Sequence, residues 1–279
     1  MKKIRIGSGA GYAGDRIEPA IDIIKKGNLD YIIFECLAER TIALAQQQKL
    51  LDPTKGYNEL LEYRMEKILP LCIEKKVKII TNMGAANPLA AVKSTKRLAE
   101  LMEIKHLKIA AVLGDDVYHT IEKYMDYTVI ETGEKLRSII GYKDGYICEG
   151  EISYGGPGAL ERAKLAGEII KRRLENGGPP IDELRIDFIG VNSLYQDTLS
   201  EILNDGKQDF KEVRLRVAAR TQIREAAFQI GNEVEALYTN GPAGGGGARK
   251  FSREIIAIGS ILIPETDIKL EVVYEEVKL

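Results

Sequence analysis

The chain has 279 residues, enough for one large domain or two ordinary ones, and its 44 % hydrophobic content can fill a core without disulfide or metal staples. Basic and acidic side chains nearly cancel to a formal charge of -2, which excludes a global field toward nucleic acid or anionic lipid and leaves only local anion sites. Cys36, Cys72 and Cys148 show no C-x-x-C spacing, which excludes a disulfide framework and a zinc ribbon and fits a reducing compartment. The N-terminus reaches Gly7 before any apolar region develops and no apolar run is long enough to span a bilayer, so a cytoplasmic protein without membrane or nucleic-acid partners is expected. With only His106 and His119 available, acid–base chemistry must rest on carboxylate, lysine, cysteine or tyrosine.

The first half alternates short β-branched runs with amphipathic segments, the pattern of βαβ units. It predicts an α/β fold with a mostly parallel sheet and flanking helices, Rossmann-like or part of a barrel. Lys3–Gly7 reads as the first strand. Asp15 then caps a helix, Glu18 completes the capping box, and Ile17, Ala20, Ile21 and Ile24 share one face up to the stop at Gly27-Asn28. Tyr31–Glu35 and Val77–Asn82 are the next strands. Between them Asn58 opens a helix with Leu61, Met65, Ile68, Leu69 and Cys72 inward, which Pro70 should kink or end. Asn87-Pro88 signals a further helix, and Lys108–Leu113 a fourth strand.

Beyond Asp115-Asp116 the pattern becomes α+β, and the chain reads as two domains, 1–138 and 139–279. A strand is expected within Tyr146–Tyr154, a turn at Gly155-Gly156-Pro157 and a helix over Ala159–Leu174 that Gly177-Gly178-Pro179-Pro180 ends. Leu184–Val191 and Glu212–Ala219 read as strands. Thr221 caps a helix carrying Ile223, Ala227, Ile230, Val234 and Leu237, which closes at Asn240-Gly241-Pro242. The runs Glu254–Ile263 and Asp267–Val277 predict a hairpin.

Several constellations could carry chemistry. Gly9, Gly11 and Gly14 match G-x-G-x-x-G between a strand and a helix, and Glu35 lies where a ribose-binding acid would, so an NAD-type oxidoreductase is one reading. Asp15 would compete with a phosphate for the same helix start, so an ordinary tight turn is the other. Ligands of parallel sheets meet the loops after strand ends, which places Ser8, Glu35, Cys36, Asn82 and the pair Asp115-Asp116 on one rim. That rim could bind a polar substrate or hold magnesium through Asp115 and Asp116, or Glu35 and Asn82 could simply satisfy loop backbone. Cys36 is a nucleophile or a packing thiol. Glu149 and Glu151 share one strand face with Ser153, as an acid–base pair or as a solvated face. Arg214, Arg216 and Arg220 line one face of their strand, an anion stripe or an exposed edge. Asn192 and Arg220 join the ligand-binding candidates. Gly244, Gly245, Gly246 and Gly247, followed by Arg249 and Lys250, could form an anion nest rather than a linker; Phe251 after the lysine excludes a Walker loop.

The strings Ile-Gly-Ser-Gly-Ala-Gly-Tyr-Ala-Gly-Asp-Arg, Phe-Glu-Cys-Leu-Ala-Glu-Arg-Thr-Ile-Ala-Leu-Ala-Gln, Thr-Asn-Met-Gly-Ala-Ala-Asn-Pro, Glu-Gly-Glu-Ile-Ser-Tyr-Gly-Gly-Pro and Tyr-Thr-Asn-Gly-Pro-Ala-Gly-Gly-Gly-Gly-Ala-Arg-Lys closely resemble the acyclic terpene utilisation protein A family, from residue 4 to about 262. The resemblance implies bacterial catabolism of acyclic terpenoids or other branched acids, beside acyl-CoA carboxylase genes. It carries no catalytic role onto any residue. It also implies a long middle section that this chain lacks, with a junction near Ser138-Ile-Ile-Gly141, and a small C-terminal domain, also lacking here, that can exist as a separate companion subunit. The leading expectation is an enzyme of lyase, hydratase or isomerase type acting on an acyl-CoA or carboxylic acid, with coenzyme A entering as the substrate's thioester. The chain is expected to form a homo-oligomer. A non-catalytic subunit that binds a small partner protein is a further alternative.

Overall fold

The structure is a computed structural model that describes residues 3–124, 135–203 and 210–278. In chain order its elements are β1 (Ile6–Ala10), α1 (Glu18–Lys26), β2 (Tyr31–Phe34), α2 (Glu39–Leu51), α3 (Leu61–Lys75), β3 (Lys78–Thr81), α4 (Pro88–Leu101), β4 (Lys108–Leu113), β5 (Lys135–Gly155), α5 (Ala159–Glu175), β6 (Glu183–Ile189), α6 (Gln196–Leu203), β7 (Glu212–Thr221), α7 (Arg224–Glu235), α8 (Leu237–Asn240), β8 (Gly245–Pro264) and β9 (Glu271–Glu276). The chain divides into two compact units, Met1–Tyr142 with Ala257–Leu279, and Lys143–Ile256.

In the first unit β1, β2 and β3 form a parallel sheet in that order, with Ser8 opposite Ile33 and Ile33 opposite Ile80. Alternation along the strands turns Ile32 and Phe34 into a core with Ile24 of α1 and Met65, Ile68 and Leu69 of α3. On the opposite face Ile6 is 61 % and Ile80 50 % exposed, with no helix over them among the described residues, although parallel sheets usually bury both faces. Helix α3 buries the five apolar positions that its spacing predicts, and Arg64 with them. It runs unbroken past Pro70, whose exposed position lets water satisfy the carbonyl that the missing N–H leaves open. Asn87 caps α4 as expected, accepting from Ala90 N–H.

Three readings of this half change. Helix α1 starts at Glu18 rather than at Asp15; its N-cap is Ile17, without a side-chain cap, because Pro19 in the first turn sets the start. Helix α2 has no counterpart in the sequence reading, since only Ala43 and Ala45 are buried and no periodic apolar face betrays it. Its start is fixed by Thr41, whose Oγ1 accepts from Ala38 N–H and donates to Ala38 O. Strand β4 lies where expected but pairs antiparallel with β9 in a separate two-stranded sheet, so the last two β-prone runs do not form a hairpin with each other. Gly114 permits this: its φ is +122°, and a Cβ there would lie 2.1 Å from Lys269 O.

In the second unit the sheet order is β6-β7-β5-β8, with β7 antiparallel to both β5 and β6. Helices α5 and α7 cover one face, so Ile152, Tyr154, Val213, Leu215 and Val217 pack with Ala163, Ile170, Ile230 and Val234 in a closed core. The opposite face carries the charged residues of β5, β6 and β7. Thr221 is not the cap of α7: the helix begins at Arg224, and Thr221 Oγ1 instead accepts from Ile223 N–H and donates to Pro180 O.

Candidate functional site

The three parallel strands end at Ala10, Phe34 and Thr81, and the residues just beyond two of these ends form one polar cluster. Asn82 joins them. Its Oδ1 accepts from Cys36 N–H at 2.7 Å and its Nδ2 donates to Glu35 Oε1 at 2.9 Å, while Leu37 N–H donates to the same oxygen at 3.1 Å. Glu35 is exposed, and among the described residues its side-chain hydrogen bonds all fall on Oε1, which leaves Oε2 open to a ligand. A carboxylate held by two donors on one oxygen is oriented without being neutralised, which suits proton transfer or recognition of a polar group.

Beneath this pair lies Arg64, 1 % exposed. Its Nη1 sits 3.0 Å from Cys36 Sγ and 3.5 Å from Met83 Sδ, and its Nη2 donates to Ala13 O at 3.0 Å and Asp15 O at 2.8 Å. Among the described residues no carboxylate forms an ion pair with it; carbonyl dipoles and sulfur solvate the charge instead. The guanidinium thereby fastens the β1–α1 loop to the end of β2. Cys36 is buried, and burial pushes its thiol up despite Arg64, so it packs as a neutral thiol at neutral pH. The sequence signal for Arg64 is its place among the inward positions of α3, where a charged residue interrupts Leu61, Met65 and Ile68.

The remaining rim candidates are placed differently. Ser8 falls in the middle of β1, on the uncovered face, because the strand begins three residues later than expected and runs to Ala10. Gly9 packs on the Phe34 ring, and Gly14 lies beside Tyr12. Gly11 N–H donates to Asp15 Oδ2 at 2.8 Å, so the glycine loop's own carboxylate occupies the amide that a phosphate would need. Asp115 is exposed. Asp116 Oδ2 is 2.6 Å from Lys49 Nζ, which also donates to Ala86 O in the β3–α4 loop. Burial alone would raise the Asp116 carboxyl, but Lys49 and the Tyr118 N–H outweigh it and hold it below its ordinary value. Among the described residues no group of three or more His, Cys, Asp or Glu converges as a metal site.

In the second unit the acid pair and the arginine stripe meet each other. Glu151 Oε2 is 2.6 Å from Arg214 Nε, whose Nη1 also donates to Ser153 Oγ. Arg216 pairs with Asp187 at 2.7 Å, and Arg220 with Asp144 at 2.6 Å. Asp187, its side chain only 4 % exposed, also takes Arg185. Each stripe arginine therefore has a carboxylate, and Glu149, half-buried beside them, adds a further negative charge. Asn192 is buried, accepting from Phe188 N–H and donating to Asp197. Asp144 and Asp187 were not among the sequence candidates, because partners on different strands share no spacing, and Arg162 of α5 was not, because its partners are backbone carbonyls.

The glycine run opens β8 instead of forming a free loop, with Gly245 already in the strand. Arg162 donates to the carbonyls of Ala243, Gly155 and Pro157, joining the start of β8 to the β5–α5 turn. Gly244, at φ +78°, makes room for it: a Cβ there would lie 2.6 Å from Arg162 Nη1. Lys250 is tied to Asn232 and Glu235 of α7, while Arg249 is exposed.

Fold and site define a mixed α/β protein with an oriented carboxylate–carboxamide pair at the ends of parallel strands. The chain belongs to the acyclic terpene utilisation family: the family model described as acyclic terpene utilisation family protein AtuA matches residues 4–139 and 131–274. Comparison with curated proteins and with solved structures returns no match. Among the described residues no helix is long and apolar enough to cross a membrane.

Proposed function

We propose that the chain is a cytoplasmic catabolic enzyme of acyclic terpenoid or branched-acid degradation, acting on an acyl-CoA or free carboxylic acid in a lyase, hydratase or isomerase step, with Glu35 moving the proton. The observation that carries this is the Glu35–Asn82 pair at 2.9 Å, with the second Glu35 oxygen unengaged among the described residues at the exposed strand ends. Lyase, hydratase and isomerase steps beside a thioester or carboxyl carbonyl move a proton without a net change of oxidation state, and a positioned carboxylate can serve as their base. Asn82 and the Leu37 N–H orient it. Arg64 acts through the loops that it fastens and is a positioning residue. The chain's assembly with copies of itself or with a small companion subunit is part of the proposal, supported by the uncovered apolar face of β1–β3.

The test is a titration of the purified protein with 3-methylcrotonyl-CoA, geranic acid and NAD, read as thermal stabilisation. Stabilisation by the thioester or the acid, and not by NAD, supports the reading. Stabilisation by NAD alone, or by none of the three, overturns it.

A further inference from the structure

A second concavity lies on the first unit, on the outer side of α4, with a volume of about 670 Å³. Leu89, Lys93, Arg97 and Leu101 recur every four residues along the helix and form one stripe, two cations bracketed by two leucines. Leu89 is 40 % and Leu101 73 % exposed. Across the cleft stands the Pro53–Tyr57 segment with Lys55, fixed by Asn87, which donates to Pro53 O and Lys55 O. Lys55, Lys93 and Arg97 form no ion pair among the described residues. The lining carboxylate, Glu62, is engaged by Ser94 Oγ at 2.5 Å and Tyr57 OH at 3.3 Å. The lining thus carries three cations outside any ion pair against a single anchored carboxylate, Glu62, on which Lys55 and Arg97 act at longer range, while Lys93 also acts on Glu275 outside the cleft.

We infer that this cleft binds a phosphorylated organic ligand, its doubly charged phosphate between Lys93, Arg97 and Lys55 and its apolar body along Leu89 and Leu101. A dianion matches the excess of two positive charges, which a carboxylate would leave half compensated. Arginine and lysine together suit a phosphate, one through a planar fork and one as a point charge. Leucines at both ends of the stripe favour a ligand with an apolar part over free phosphate. The inference does not depend on Glu35.

Calorimetric titration at about 0.15 M salt, which screens loose ion pairing, uses octyl phosphate, adenosine 3′,5′-bisphosphate, inorganic phosphate and octanoate. Saturable binding of octyl phosphate or of the bisphosphate, tighter than that of inorganic phosphate and octanoate, is expected; which organic phosphate wins tells an aliphatic body from a nucleotide. The double variant Lys93→Ala with Arg97→Ala should weaken it by about tenfold or more, since each charge-assisted hydrogen bond carries roughly that factor. Both substitutions sit at exposed helix positions where alanine favours the helix, so the fold is kept. Glu35→Gln should leave the binding unchanged. Absence of saturable binding by either organic phosphate, equal binding by the double variant, or equally tight binding of octanoate would each overturn the inference.

Discussion

Arg64 places a guanidinium inside the first core with no acid paired to it among the described residues, a costly arrangement that persists because four acceptors surround it. Removing it takes the guanidinium donor from Asp15 O and leaves Ala13 O with only the longer bond from Asn58 Nδ2, at 3.3 Å. Arg64→Met is therefore expected to destabilise the protein by about 2–3 kcal/mol, measured by urea unfolding, even though the replacement is apolar and of similar length. The thiols follow the same logic of burial. Cys36, Cys72 and Cys148 are all buried, and burial pushes the Cys72 thiol up to about 11. Folding disfavours the thiolate, so this contribution to stability is present below the unfolded pKa near 9 and is lost as pH rises through the folded value. None of the three should react with a disulfide reagent at neutral pH in the native state, and all three should react in urea. Rapid native labelling of Cys36 would restore the nucleophile reading.

At the scale of elements, what could be read from the sequence is what a single segment encodes. The inward positions of α3 and α5, the Asn87 cap and the bounds of β4 follow from local periodicity and capping. Helix α2 could not be read, because two buried alanines leave no amphipathic trace. The pairing of β4 with β9 could not either, because nothing in Lys108–Leu113 names a partner at the far end of the chain. The glycine run shows the same division. Its composition marks a special backbone, but only the structure shows that Arg162 is the group it admits. Gly244→Ala, at positive φ and against Arg162, should cost about 1–3 kcal/mol in thermal or urea unfolding. Gly246→Ala, with nothing within 4 Å of the added carbon, should be tolerated to within about 0.5 kcal/mol. Equal losses at the two positions would contradict this account of the run.

Across the whole molecule, the candidate site was legible as a list of residue types at strand ends and not as a geometry. Glu35 and Asn82 do come together, as the βαβ pattern implies, whereas Asp116 reaches the β3–α4 loop only through Lys49. The acids and arginines of β5 and β7 proved to face each other across the ladder, a register that a sequence cannot state. The Lys49–Asp116 pair makes acid stability testable. Because the folded carboxyl lies below its ordinary value of 3.8, its contribution is present above that pH and is lost as pH falls through the lowered value. Asp116→Asn should destabilise the protein more at about pH 7 than at about pH 3, compared by urea unfolding.

The proposed proton transfer at Glu35 is tested most directly by exchange of substrate carbon-bound hydrogen with solvent deuterium, followed by mass spectrometry of 3-methylcrotonyl-CoA and geranic acid incubated with the protein in heavy water. The wild type should wash deuterium into one of them, and Glu35→Gln should lower the rate by about a hundredfold or more while the protein stays folded. Exchange at an undiminished rate in Glu35→Gln, or its absence in the wild type with both compounds, would contradict the assignment.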